Sequence, residues 1–304
     1  MSLRAALTAC VSATFLLTGA AHAASFDIAI TVDDLPTHGS KTPGMSRVEI
    51  GRSYLATLKA HKVPEAWGFV NAVGAVREPE SEQMLADWRA AGYPLGNHTY
   101  SHANVNAGTV EAWEAEVTTG EPILKKYMAG ADWHYLRFPF LSAGDAAHHD
   151  AVGAWLKTQG YRIADVSVSF DDWAYTETYN RCLAKGDTAA IEQLKVKYLA
   201  GVDAGIVRMK ALSQTVYGRM IPQVLLTHIG GFSAVMLPQV MDRLDAAGAH
   251  YVTLEQAESD TAYAETDPKA GDGSVMERTA YEKGIDISKV PAGPNNSGVD
   301  GMCK

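Results

Sequence analysis

Apolar and polar positions along the chain follow two alternating periods. Residues 26–32, Phe-Asp-Ile-Ala-Ile-Thr-Val, form an almost unbroken apolar run that ends in Asp33-Asp34 and the breaker Leu35-Pro36, which is the pattern of a short buried strand. Helical spacing follows over 47–61, with Ile50, Tyr54 and Leu58 on one face, and a second apolar run occupies 66–70. The alternation then repeats: a helix over 79–91 closed by Gly92, a short segment 94–97, a helix over 110–128, a strand at 135–138 ended by Pro139, a helix over 150–159 and a strand over 161–170. One or two helices fill 188–218, a strong strand occupies 223–227, a helix covers 237–247, and a last strand lies at 250–254. Six or seven strands alternating with helices predict an α/β fold with a mostly parallel sheet, closed into a barrel or wound open. Beyond about residue 258 the periodicity lapses into Gly271, Gly273, Pro291, Gly293 and Pro294, a polar tail that packs on or extends from the main domain of residues 24–258.

The first 23 residues stand apart. A lone Arg4, an apolar stretch over 11–17 and the ending Ala21-His22-Ala23 have the layout of an export signal cleaved after Ala23. The apolar stretch is well short of the roughly 20 residues a membrane-spanning helix needs. Leu7-Thr8-Ala9-Cys10 looks like a lipoprotein cleavage box, but the apolar segment follows it instead of preceding it. A soluble chain, periplasmic or secreted, is expected, with no stable membrane insertion. At 47% hydrophobic and 20% charged the chain as a whole has ordinary globular composition. The formal net charge of −9 argues against nucleic acid or anionic lipid as the main partner, since both require a basic surface. Cys182 and Cys303 are the cysteines left after cleavage; an oxidising compartment permits a disulfide, and spacing alone leaves pairing and two free thiols equally open.

Residues with chemistry gather where strands end. His98 and His102, four apart, would share one face of a helical turn and suit two ligands of one ion; in isolation they could equally be hydrogen-bonding histidines. Asp33 and Asp34 close the first strand, where one carboxylate could bind an ion and its neighbour take a proton from water, the alternative being a simple cap. His228 ends the strand 223–227 and is placed to act as a general acid, or to be a core histidine. Arg137 sits at another strand end, where its fork could hold a carboxylate or make a surface ion pair.

In this order the motifs resemble the polysaccharide deacetylases of carbohydrate esterase family four. Thr31-Val32-Asp33-Asp34 is similar to that family's first motif, His98-Thr99-Tyr100-Ser101-His102 to the second and Arg137-Phe138-Pro139-Phe140 to the third. Asp172-Trp173 is similar to part of the fourth and Leu226-Thr227-His228 to the fifth. The resemblance covers about residues 26–258 and implies a distorted (β/α) barrel of about seven strands acting on an acetylated carbohydrate with a divalent metal, most often zinc, in some members cobalt or another ion. By position it implies Asp34, His98 and His102 as metal ligands, Asp33 as base, His228 as general acid and Arg137 as the group that orients Asp33. The amide of Phe140 would face the oxyanion, and Trp173 with Leu226 would wall the acetyl pocket.

Four departures bear on this. Leu35-Pro36 replaces the usual glycine, Phe140 the usual tyrosine, and Gly230-Gly231 after His228 is atypical. Ser169 stands where the fourth motif has the aspartate that pairs with the general-acid histidine; Asp165, Asp171 and Asp172 are the possible substitutes. A catalytically weak carbohydrate-binding scaffold and an amidase of small non-sugar compounds remain as competing readings. Trp67, Trp133, Trp173 and Tyr175 are either sugar-stacking surfaces or core.

Overall fold

The computed structural model describes residues 25–264 and 271–304; the expected leader, residues 1–23, lies outside the described residues. Its eight strands are β1 (Phe26–Leu35), β2 (Ala66–Val70), β3 (Leu95–Asn97), β4 (Tyr135–Leu136), β5 (Arg162–Ile163), β6 (Val168–Ser169), β7 (Gln223–His228) and β8 (Ala249–Tyr251). All pair in parallel, in the order β5-β4-β3-β2-β1-β7-β6, with β8 also on β1. Read as a ring, that order is the chain order, with β7 returning beside β1. The sheet is therefore a distorted (β/α) barrel left open at one seam, between β5 and β6. The seven-strand expectation describes the main path, and the short β8 adds an eighth.

The centre of the sheet is the part most legible as apolar runs. Every residue of β2 and β7 is buried, because helices cover a parallel sheet on its outer face and side chains fill its interior. Two threonines staple β1 to β7: Thr31 Oγ1 donates to Leu225 O at 2.7 Å, and Thr227 Oγ1 to Thr31 O at 3.1 Å.

The structure departs from the periodicity in definite places. Residues 161–170 are not one strand but β5 and β6, at opposite edges of the sheet. Between them Ala164 O accepts from Arg137 Nε at 2.6 Å and Asp165 pairs with Arg278, so the chain is drawn off the ladder at the seam. The helices Ala72–Arg77 and Thr176–Lys185 carry too short or too polar a stripe to register, and 188–218 is a single helix, Thr188–Tyr217. Strand β8 is shorter than 250–254, and the helix Leu254–Glu258 follows it.

The tail is more ordered than its composition implies. Ser274 and Glu277 form a capping box for the helix Val275–Glu282, and Val275, Met276, Ala280 and Val299 are buried in the common core. Cys182 and Cys303 are joined in a disulfide, which resolves the alternative that spacing left open. Among the described residues no helix is long and apolar enough to cross a membrane.

Candidate active site

In a regular strand, neighbouring side chains face opposite sides, yet Asp33 and Asp34 line the same cleft. The cause is local. The register of β1 against β2 slips between Val32 and Leu35, and Asp34 adopts φ 65°, a left-handed conformation that aspartate tolerates better than most residues. The resulting bulge turns the second carboxylate toward the first.

Asp33 is buried against Arg137, whose Nη1 lies 3.2 Å from Oδ1 and 3.4 Å from Oδ2. Arg137 is itself only 1% exposed; Nη2 donates to Thr31 Oγ1 at 3.0 Å and Nε to Ala164 O. This is a buried clamp, not a surface ion pair.

His98 and His102 meet by a different route from the one their spacing predicts. No helix forms there: His98 directly follows β3, and the chain turns through Thr99 and His102, both at φ 62°. Asn97 Oδ1 accepts from Thr99 N at 2.8 Å, Thr99 Oγ1 from Ala103 N at 2.9 Å, and Glu116 from Ser101 N at 2.7 Å. These tie the loop so that the two rings stand 4.9 Å apart. His98 Nδ1 is 2.7 Å from Arg137 O; a carbonyl only accepts, so Nδ1 carries a proton and Nε2 is the nitrogen left to face Asp34. Burial, helped by the charge of His98, pushes His102 down to about 4, the neutral form a ligand requires.

Asp34, His98 and His102 offer ligand atoms that all lie within 4.8 Å of one another. Asp34 Oδ1 is 3.5 Å from His98 Nε2 and 3.6 Å from His102 Nε2, close to the roughly 3.4 Å between two ligands bonded at about 2.0–2.1 Å to one tetrahedral ion. The same Oδ1 is buried with no hydrogen-bond partner, a costly state for a carboxylate oxygen unless a cation takes it. The triad therefore fits a divalent metal. Burial pushes the Asp34 carboxyl up, but the hydrogen bond and charge of His38, with His228 and His98, outweigh it and hold the group well below the usual range.

His228 ends β7 directly opposite Asp33 in the β1 register. Its Nδ1 is 2.9 Å from Asp172 Oδ1, while Asp172 Oδ2 accepts from His228 N and Ser233 Oγ, both at 2.8 Å. Of the three possible substitutes for the missing fourth-motif acid, the partner is Asp172. Asp165 is committed to Arg278, and Asp171 lines the cleft. Burial works against protonation of His228, but the charge and hydrogen bond of Asp172, then Asp34 and Asp33, raise it to about 9.

The cleft has a volume of about 580 Å³. Leu226 and the half-exposed Trp173 line one part of it, and Phe140, at φ 60°, sets its ring 4.5 Å from that of His102. Of the aromatics considered for sugar stacking, Trp67, Trp133 and Tyr175 are buried and only Trp173 is open. His38, which no motif identified, also lines the cleft, with Nδ1 2.7 Å from Asp34 Oδ2 and its ring 5.0 Å from that of His228. The available signal was a histidine four residues past Asp34, across a proline turn.

Residues 21–164, just under half the chain, match the family model described as polysaccharide deacetylase. That span carries the first three motifs; Asp172, Trp173, Leu226 and His228 lie beyond it. A peptidoglycan-N-acetylglucosamine deacetylase of Bacillus cereus is 25% identical over 230 residues, 75% of this chain; the chain spans 66% of that relative's length, just under two thirds. Among solved structures, a mutant of a CE4 family pseudoenzyme of Bacillus anthracis, with restored enzymatic activity, superposes with a TM-score of 0.50 at 14% identity. That match covers 78% of this chain and 68% of the other. At such identity it speaks for the fold. The resemblance seen in the motifs is thus borne out by the family model, and the barrel by the structural likeness.

Proposed function

Taking the polysaccharide-deacetylase likeness as the premise, we propose that the chain hydrolyses acetyl groups from an acetylated carbohydrate with the aid of a divalent metal. The observation that carries the reading is one juxtaposition. Asp33 and His228, register partners on adjacent strands, share a single cleft with the triad Asp34, His98 and His102.

Each residue's part follows from its surroundings. A divalent ion held by Asp34, His98 and His102 would polarise the acetyl carbonyl and lower the pKa of water. Two imidazoles, one carboxylate and an open side suit zinc, with cobalt an alternative. Asp33, aimed by Arg137, accepts the proton of the attacking water. The amide of Phe140, in its left-handed turn beside His102, is assigned to the developing oxyanion. Trp173 and Leu226 bound the space for the acetyl methyl. His228, kept protonated by Asp172, gives its proton to the departing nitrogen.

We assign this chemistry to a catalytic unit of residues 24–258, with residues 259–304 as a buttress. The substrate to try first is N-acetylglucosamine within peptidoglycan, the one named for the Bacillus cereus relative. The leader-like residues 1–23 and the Cys182–Cys303 disulfide, a bond that persists in oxidising compartments, support an exported chain. With Asp172 beside His228, the scaffold reading loses its chief support, the serine at position 169.

The test is acetate release by the purified chain from peptidoglycan, acetylated chitooligosaccharides and acetylxylan, after chelation and after adding back zinc or cobalt. Chelator-sensitive, metal-restored release is expected from at least one. Metal bound without release from any of them would overturn the carbohydrate reading, and release from small amides alone would redirect it to that class.

A further inference from the structure

We propose that His38 is a positioning residue for the metal site: it holds one oxygen of Asp34 so that the other stays unbonded and directed at His98 and His102. The inference rests on the reading of Asp34, His98 and His102 as ligands of a divalent ion. An ionised carboxylate only accepts, so at 2.7 Å it is His38 Nδ1–H that donates to Asp34 Oδ2. With Oδ2 engaged, Oδ1 is left buried, without a hydrogen bond, 3.5 and 3.6 Å from the two imidazole Nε2 atoms. One oxygen is fixed and one is offered, which is how partners outside the metal's own ligands set their orientation.

The surroundings of His38 are built to keep it there. Arg47, buried and paired with Glu78 at 3.1 Å, donates from Nη1 to His38 O at 2.9 Å and from Nη2 to Gly39 O at 2.7 Å. Two residues on, Ser40 N and Oγ both donate to Glu177, at 2.6 and 2.8 Å. Across the ring stands Gly230, where a Cβ would lie 3.1 Å from His38 Cδ2 and 2.8 Å from Thr176 Oγ1; a glycine leaves the imidazole its room. Two departures from the family motifs thereby acquire one cause. Leu35-Pro36 turns the chain leaving β1 so that His38 returns to Asp34, and Gly230 clears space for its ring.

The experiment is metal binding by the metal-free full chain, read by competition of zinc with a chromophoric chelator and by the visible spectrum of bound cobalt. His38→Ala is expected to bind zinc roughly 10–100-fold more weakly than the parent and to change the cobalt bands. His38→Asn places an amide nitrogen where Nδ1 stood and is expected to restore most of that affinity. A folded His38→Ala chain with parental affinity overturns the proposal, as does His38→Asn no tighter than His38→Ala. Failure of the parent itself to bind zinc or cobalt would instead remove the metal reading on which this one stands.

Discussion

Replacing Asp172 with Asn neutralises the carboxylate that holds His228 while nearly preserving its shape. In the parent, His228 is raised to about 9 against burial, with the charge and hydrogen bond of Asp172 the largest of the raising causes. If the variant returns the ring to its ordinary value of 6.5, the protonated fraction at about pH 8 falls from roughly nine in ten to roughly three in a hundred, about a 30-fold loss of the acid form. At about pH 6 the loss is less than twofold. The sign is fixed by the role: a general acid works below its folded pKa, so the alkaline limb of the profile moves to lower pH in the variant. A bound divalent ion offsets the smaller contributions of Asp34 and Asp33 but not that of Asp172, so the displacement between parent and variant is the quantity to read. The assay is acetate release from an N-acetylated oligosaccharide and from an activated aryl ester across pH, with the metal-loaded chain. The amide profile should shift and the ester profile much less, because an activated alcohol leaves without a proton. An unmoved alkaline limb, or equal shifts for both substrates, would refute the assignment of His228 as an acid tuned by Asp172. Circular dichroism guards against simple unfolding, since Asp172 also accepts from His228 N and Ser233 Oγ.

Three further outcomes are expected. Asp33→Asn should lower kcat by roughly 10²–10⁴-fold while elemental analysis finds the metal content unchanged; loss of the ion instead would mean that the two adjacent acids have exchanged parts. Arg137→Met leaves the carboxylate of Asp33 buried without its cation and should cost about 3–5 kcal/mol in urea unfolding, so an unshifted midpoint would deny the clamp any weight. Cys303→Ser opens the 121-residue loop closed by the disulfide and should lower stability by about 2–4 kcal/mol. The parent melted in reductant should match it, and a variant as stable as the oxidised parent would show that the tail is held without the bond.

Most of the barrel was legible because its central strands are buried on both faces and so read as continuous apolar runs; residues 26–32, 66–70 and 223–227 needed no partner to be recognised. The seam was not. Residues 161–170 look like one strand, but bonds joining Arg137 to Ala164, Arg278 and Glu258 to Asp165, and Val275 to Val166 hold the stretch between β5 and β6 off the sheet. His98 and His102 were correctly paired by spacing but for a reason that does not hold: a hydrogen-bonded loop, not a helix, joins them.

The sequence by itself determined the alternation of strands and helices, the placing of two acids and a histidine at strand ends, and the choice of groups able to hold a metal, since each of these is carried by neighbours within a few residues. Only the tertiary structure decided which of three aspartates reaches His228, that Cys182 meets Cys303, and that His38 bonds Asp34. A bulge in β1 decided that Asp33 and Asp34 face one cleft. Those outcomes depend on distances of a few ångströms between segments brought together by packing, and a hydrogen bond or a buried charge is won or lost within about one ångström, a scale that residue spacing along the chain does not encode.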